Sequence, residues 1–248
     1  MPDTSQPIGT IGVIRRFPVK GMAGEELSDV FVTYAGLVGD RVYAFLDPQN
    51  TSDFPWITPR ILPQMLLMKP RFIAPPAANE ERPRVEKYRV EISTPEKVFH
   101  DISAPDFRKY LEKLSGREIE FRFSERSMTD SKPVSLFGLQ TFDALSSETG
   151  MNLDHRRFRP NFVVDWAEKK PFHEDSLIGR TVRFGETLAV RLIKKDMRCK
   201  VITLDPETAE AAPKVLEVVA RQHGNCSGVY GAVLREGIVR RGDAVFVD

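Results

Sequence analysis

The stretch GVYGAVLREGIVRRGDAVFV, residues 228–247, decides the fold class. Val229 to Leu234 and Ala244 to Val247 are short β-rich runs, and between them stand Gly237, Gly242 and Asp243 rather than a helical pattern. That spacing reads as strands joined by turns. The same signature recurs outward along the chain: Ile11 to Phe17, Leu27 to Tyr34, Arg41 to Asp47, Val85 to Ile92, Phe162 to Val164, Thr181 to Phe184 and Leu188 to Ile193. Most of these runs are separated by Gly, Pro or Asp, which argues for barrels or strongly bent sheets over a doubly wound parallel sheet. The expected class is mainly β (α+β), with a few short helices.

Three helices interrupt the strands. After Ser103, the residues Phe107, Tyr110, Leu111 and Leu114 fall at helical spacing, with Ser103 and Asp106 as a capping pair and Gly116 as the stop. A second helix covers Gly138 to Glu148, and a third starts near Pro213 and runs to Gly224. Residues 74–84, APPAANEERPR, read as a mobile hairpin loop. The polar stretch Ser124 to Lys132 divides the chain into an N-terminal domain, residues 1–125, and a C-terminal domain, residues 126–248.

Composition excludes several classes of function. Of 248 residues, 41% are hydrophobic and 29% charged, so the chain can bury a core. No apolar run approaches the ~20 residues a bilayer requires, and the N-terminus has no secretory pattern, so a cytoplasmic protein with no membrane partner is expected. With 36 Lys plus Arg against 35 Asp plus Glu, there is no electrostatic case for nucleic acid. Two cysteines, Cys199 and Cys226, are too few for a disulfide framework or an iron–sulfur cluster.

The sharpest chemical feature is Asp196-Met197-Arg198-Cys199, at the end of an apolar strand. Flanking cations, Arg198 and Lys200, favour the thiolate of Cys199 and make it a plausible soft ligand. Taken alone, such a cysteine is more often inert. Three basic clusters border strands: Pro18-Val19-Lys20-Gly21, then Gly39-Asp40-Arg41, then Arg156-Arg157-Phe158-Arg159-Pro160-Asn161. They could converge on one phosphate, or each could be a solvated strand end. The four histidines are scattered, Ser135 lies in no nucleophile-elbow pattern, and GxGxxG and GxxxxGK[ST] are absent. Cys226 has no adjacent base and reads as a buried or turn thiol.

Taken in order, PVKG, GLVGDRVYAF, RRFRPNFVV, DMRCKVITLDPETA and the opening stretch resemble the MOSC family, named for the C-terminal domain of molybdenum cofactor sulfurases. The likeness spans nearly the whole chain. It is nearest to two-part members such as the mitochondrial amidoxime-reducing component and its bacterial relatives, whose N-terminal domain ITPRILPQMLLMKP, residues 57–70, also resembles. The resemblance implies a MOSC-type β-barrel packed against an N-terminal β-rich domain, with a molybdenum-molybdopterin cofactor (a pterin dithiolene) between them.

Residue by residue, it implies Cys199 as the molybdenum ligand and Lys20, Gly21 and Arg41 as cofactor contacts from the N-terminal half. Arg159, Asn161 and Arg198 would hold the pterin or phosphate from the other half, with Ser135 and Asp196 nearby, Asp196 as a group that orients Arg198 or handles a proton. Position 21 is Gly where amidoxime-reducing members often place Ser, so one polar contact is lost or supplied by backbone. The implied activity is reduction of a small N-hydroxylated or N-oxide-type molecule, with electrons from a separate ferredoxin- or flavoprotein-type donor, since no ferredoxin domain follows and no pyridoxal-phosphate domain fits. The alternative is a cofactor or sulfur carrier that uses Cys199 as a persulfide without redox turnover.

Overall fold

The N-terminal strand builds the C-terminal barrel, because one short run pairs on both of its sides. The computed structural model describes residues 6–73 and 88–248, and the expected hairpin loop at 74–84 lies outside the described residues. The chain opens with β1 (Gly9–Arg16), β2 (Glu25–Leu27), β3 (Asp29–Thr33), β4 (Gly36–Leu37) and β5 (Tyr43–Leu46). It continues with β6 (Lys69–Phe72), β7 (Val90–Ser93), β8 (Phe99–Asp101), α1 (Pro105–Ser115) and β9 (Glu120–Phe123). The second half carries β10 (Val134–Gly138), α2 (Leu139–Thr149), β11 (Phe162–Trp166), α3 (His173–Ser176), β12 (Thr181–Phe184) and β13 (Leu188–Met197). It ends with α4 (Pro213–His223), β14 (Cys226–Arg235), β15 (Gly237–Arg240) and β16 (Ala244–Val247).

β1 pairs antiparallel with β16 on one side and β11 on the other, closing a seven-stranded barrel in the order β1-β11-β10-β14-β13-β12-β16. β10 and β11 are parallel, and a parallel pair needs a crossover, which α2 supplies. Inward residues of every strand meet in one core: Ile11, Leu136, Phe162, Val182, Val190, Val229 and Val245 are all buried there. Burial of one such side chain stabilises by about 1.5–3 kcal/mol.

The two hydrophobic cores do not follow the order of the chain. Ile11, Ile14, Val30, Val32 and Leu37 sit in the barrel core, whereas a separate N-terminal core runs from Val19 to Ile119 through Phe45, Met65, Phe107 and Leu111. A polar linker marks one chain crossing, but strand pairing between β1, β11 and β16, and between β3 and β15, is non-local and leaves no such mark.

Local readings also shift. The run Leu27 to Tyr34 breaks at Ser28, because β2 pairs with β1 while β3 pairs with β15. The run Arg41 to Asp47 starts as a strand only at Tyr43, since Arg41 is left-handed with φ 50°. The Ser103/Asp106 capping pair does not form: Ala104 is the cap residue and Pro105 takes the first helical position. Ser103 instead donates its hydroxyl to Asp101, 2.6 Å away, and Asp106 pairs with His100.

Gly231 marks the tightest approach inside the barrel. A Cβ there would lie 2.3 Å from Val190 Cγ1 and 3.2 Å from the Arg191 carbonyl. Gly231→Ala is expected to cost about 2 kcal/mol, read as a lower urea midpoint with unchanged slope; an unaltered midpoint would contradict that packing.

Candidate functional site

Where the barrel meets the N-terminal unit, a cavity of about 360 Å³ opens. β13 supplies one wall. Its register slips between Leu192 and Lys194 and again between Lys195 and Met197; such bulges bend a strand and re-aim its side chains. Asp196 is buried and Met197 is 73% exposed. The chain then delivers Cys199, exposed, to the cavity as it enters a short 3-10 turn.

The other walls bring the basic clusters together. Lys20 and Gly21 follow β1, Arg41 precedes β5, and Arg159 and Asn161 precede β11; all line the same cavity as Ser135, Asp196, Arg198 and Cys199. Nine of the lining side chains are basic and two, Asp130 and Asp196, are acidic. A chain with a net charge of +1 thus focuses its positive potential in one recess. Gly21 has φ +86°, and a Cβ would sit 3.1 Å from Pro59 and 3.3 Å from Met65, so the backbone admits only glycine without strain. Arg41 and Arg159 are both left-handed, φ 50° and 53°, a conformation uncommon for side-chain-bearing residues and one that clusters at functional sites.

These groups differ in what they have left to offer. Arg198 is held on every nitrogen: Nε donates to the Ser227 carbonyl at 2.8 Å, Nη1 to the Phe158 carbonyl at 2.8 Å, Nη2 again to Ser227, and Nη1 pairs with Asp196 at 2.9 Å. Asn161 is similarly occupied. Its Oδ1 accepts from the Ser135 N–H and hydroxyl, and its Nδ2 donates to the Arg15 carbonyl at 3.2 Å. Ser135 and Asn161 therefore clasp β10 to the entry of β11 and line the wall of the cavity. Arg41 donates to Asp40 at 2.5 Å and to the Arg159 carbonyl at 3.3 Å.

Arg159 is the exception. Its guanidinium lies over the Phe17 ring at 4.3 Å, and its buried Nη2 has no hydrogen-bond partner. Burial first, and then the facing charge of Arg41, pulls its pKa down to about 9. A buried cation with an unpaired donor is costly, and an anion entering the cavity would relieve that cost. Asp196 is pushed the other way: burial raises its pKa, while Arg198 and a hydrogen bond from Tyr230 oppose the rise. Burial likewise raises the Tyr230 phenol.

Sequence reasoning missed Asp130, Arg60 and Tyr230, which also line the cavity. Asp130 lies in the polar linker, Arg60 in a Pro-rich turn and Tyr230 within a strand, and none carries a local signal of its own. Cys226 is half-buried at the start of β14, opposite Met197.

The residues fit the cofactor that the resemblance implies. Among the described residues no group of three His, Cys, Asp or Glu could hold a metal ion, and a metal that brings most of its own ligands would need only one thiolate from the chain. One exposed thiol and one buried, unpaired guanidinium are what a thiophilic metal on a phosphorylated carrier would use.

A closed β-barrel with a thiol-bearing cationic recess, capped by a second β-rich unit, defines the class. Family models agree: the MOSC N-terminal beta barrel domain matches residues 8–117 and the MOSC domain matches residues 124–246. The chain belongs to the MOSC family, whose domain is of the kind found in molybdenum cofactor sulfurases and is associated with that cofactor. Among solved structures, the YUAD protein from Bacillus subtilis is similar over 96% of this chain and 94% of its own, at 13% identity and a TM-score of 0.53, which shows a shared fold. YiiM from Geobacillus stearothermophilus matches 47% of this chain and 54% of its own, at 16% identity and a TM-score of 0.37. No match is found among curated proteins. No helix among the described residues is long and apolar enough to cross a membrane.

Proposed function

We propose that this chain is a cytoplasmic molybdenum-cofactor oxidoreductase that reduces small N-hydroxylated or N-oxide-type molecules. The observation that carries the reading is the placement of an exposed Cys199 thiol in the same recess as Arg159, whose buried Nη2 lacks a partner. Cys199 would ligate the metal, and Arg159, backed by Arg41 and Lys20, would hold the phosphate of the pterin.

When bound, the cofactor supplies two-electron chemistry that takes the oxygen from an N–OH or N–oxide group and, with two protons, releases it as water. The chain's own residues do the rest. Asp196 is buried against Arg198 and Tyr230 and would hold or pass a proton at its carboxylate. Ser135 and Asn161 fix the wall that carries Arg159. Electrons would come from a separate ferredoxin- or flavoprotein-type partner.

Protein purified from a cofactor-producing host is expected to reduce an amidoxime or a hydroxylamine with a chemically reduced viologen as donor. Metal-loaded protein with no turnover would contradict the reductase reading. The exposure of Cys199 also suits a sulfur carrier, and intact-mass analysis separates the two: one added sulfur on Cys199 in metal-free protein supports the carrier.

A further inference from the structure

One carboxylate in the recess, Asp130, has no part in the cofactor reading, and it is paired with Lys20. Lys20 is buried, and its ammonium donates to the Met128 carbonyl at 2.8 Å and to the carboxylate of Asp130. Asp130 itself is 56% exposed. It lies within electrostatic reach of Arg41, Arg60 and Arg159 as well as Lys20, so the one carboxylate from the linker sits among the cations that line the recess. Burial pushes its pKa up, but Lys20 first, and then Arg41 and Arg60, hold it below the ordinary carboxylate range.

The linker around it is unevenly tied. Ser124 N–H donates to the Val42 carbonyl at 2.9 Å, Ser127 hydroxyl to Asp40 at 3.2 Å, and Met128 N–H to the Arg41 carbonyl at 2.9 Å. From Thr129 to Lys132 there is no regular structure, and the hydrogen bond of Asp130 to Lys20 is what holds the segment to the recess. A half-exposed carboxylate on an irregular segment can leave, whereas the buried ammonium of Lys20 cannot follow it into water. Lys20 then needs another anion, because an uncompensated buried cation costs several kcal/mol.

We infer that Asp130 is an internal competitor for the anion site: it occupies the cation cluster when no ligand is bound, swings out when a dianionic phosphate enters, and so selects dianions over monoanions. The inference rests on the proposed reading of the recess as an anion site. A monoanion that displaces Asp130 exchanges one negative charge for another and gains nothing in net charge. A dianion also neutralises Arg159, whose Nη2 the carboxylate leaves unpartnered. Asp130 is thus a specificity-determining residue that acts by competition.

Inorganic phosphate and acetate are the probes, titrated into the full-length, cofactor-free protein by calorimetry, with hydrogen exchange read over residues 127–132. D130N removes the competitor and is expected to bind phosphate on the order of tenfold tighter, since apparent affinity scales with the fraction of competent sites. It should also bind acetate, which the wild type should not. In the wild type, phosphate should speed exchange across the segment as Asp130 leaves. Equal phosphate affinity in D130N and wild type, or weaker binding in D130N, would overturn the inference while the anion site stands. Slowed or unchanged exchange on phosphate binding would overturn it too, without needing the variant. Phosphate binding to neither protein would overturn both the inference and the anion-site reading.

Discussion

Cys199→Ser is expected to purify with little molybdenum and to reduce N-hydroxylated substrates at least about a hundredfold more slowly than the wild type, given that changes even to groups behind a metal's ligands cost 10–100-fold. Serine preserves size and exposure but replaces a soft sulfur with a hard hydroxyl that stays protonated near neutral pH. Because Cys199 is exposed and caps nothing through its side chain, the substitution should leave the barrel intact. The melting temperature of the ligand-free variant should therefore match the wild type, which separates lost chemistry from lost structure. Wild-type metal content in Cys199→Ser would remove this thiol from the site.

Arg159→Leu should act in opposite directions on stability and binding. At neutral pH the folded and unfolded chains both carry the Arg159 charge, so the ligand-free fold bears the full cost of burying it beside Arg41. Leucine in place of the ion should stabilise the ligand-free protein by about 1 kcal/mol or more, roughly 3 °C in melting temperature. Phosphate affinity should fall by about tenfold or more, because one charge-assisted hydrogen bond contributes about 1.5–3 kcal/mol. A ligand-free variant less stable than the wild type would show that Arg159 is a structural residue.

Strands that bury one face were legible because alternation is a local signal: Val229 to Leu234 and Thr181 to Phe184 fall where the pattern puts them. What was illegible was closure. That β1 pairs with both β11 and β16 depends on residues some 150 and more than 200 positions away, and no periodicity encodes it. β10 and β15 escaped because each is a run of five residues or fewer hemmed by Pro or Gly, too short for alternation to stand out.

The recess was legible in the same uneven way. Lys20, Arg41, Arg159 and Cys199 stood out as basic clusters and a thiol flanked by basic residues, but their convergence came from the family resemblance, not from spacing. Ser135 and Asn161 hydrogen-bond to each other across 26 positions of sequence, a pairing that no local spacing announces. Asp130 looked like part of a solvated linker; only the tertiary structure sets it against Lys20.

The most direct test is the elemental and pterin content of the wild-type protein, freshly purified from a host that makes the cofactor. The account predicts close to one molybdenum and one phosphorylated pterin per chain, both reduced by Arg159→Leu and the metal lost in Cys199→Ser. Wild-type protein that carries neither molybdenum nor pterin would contradict it.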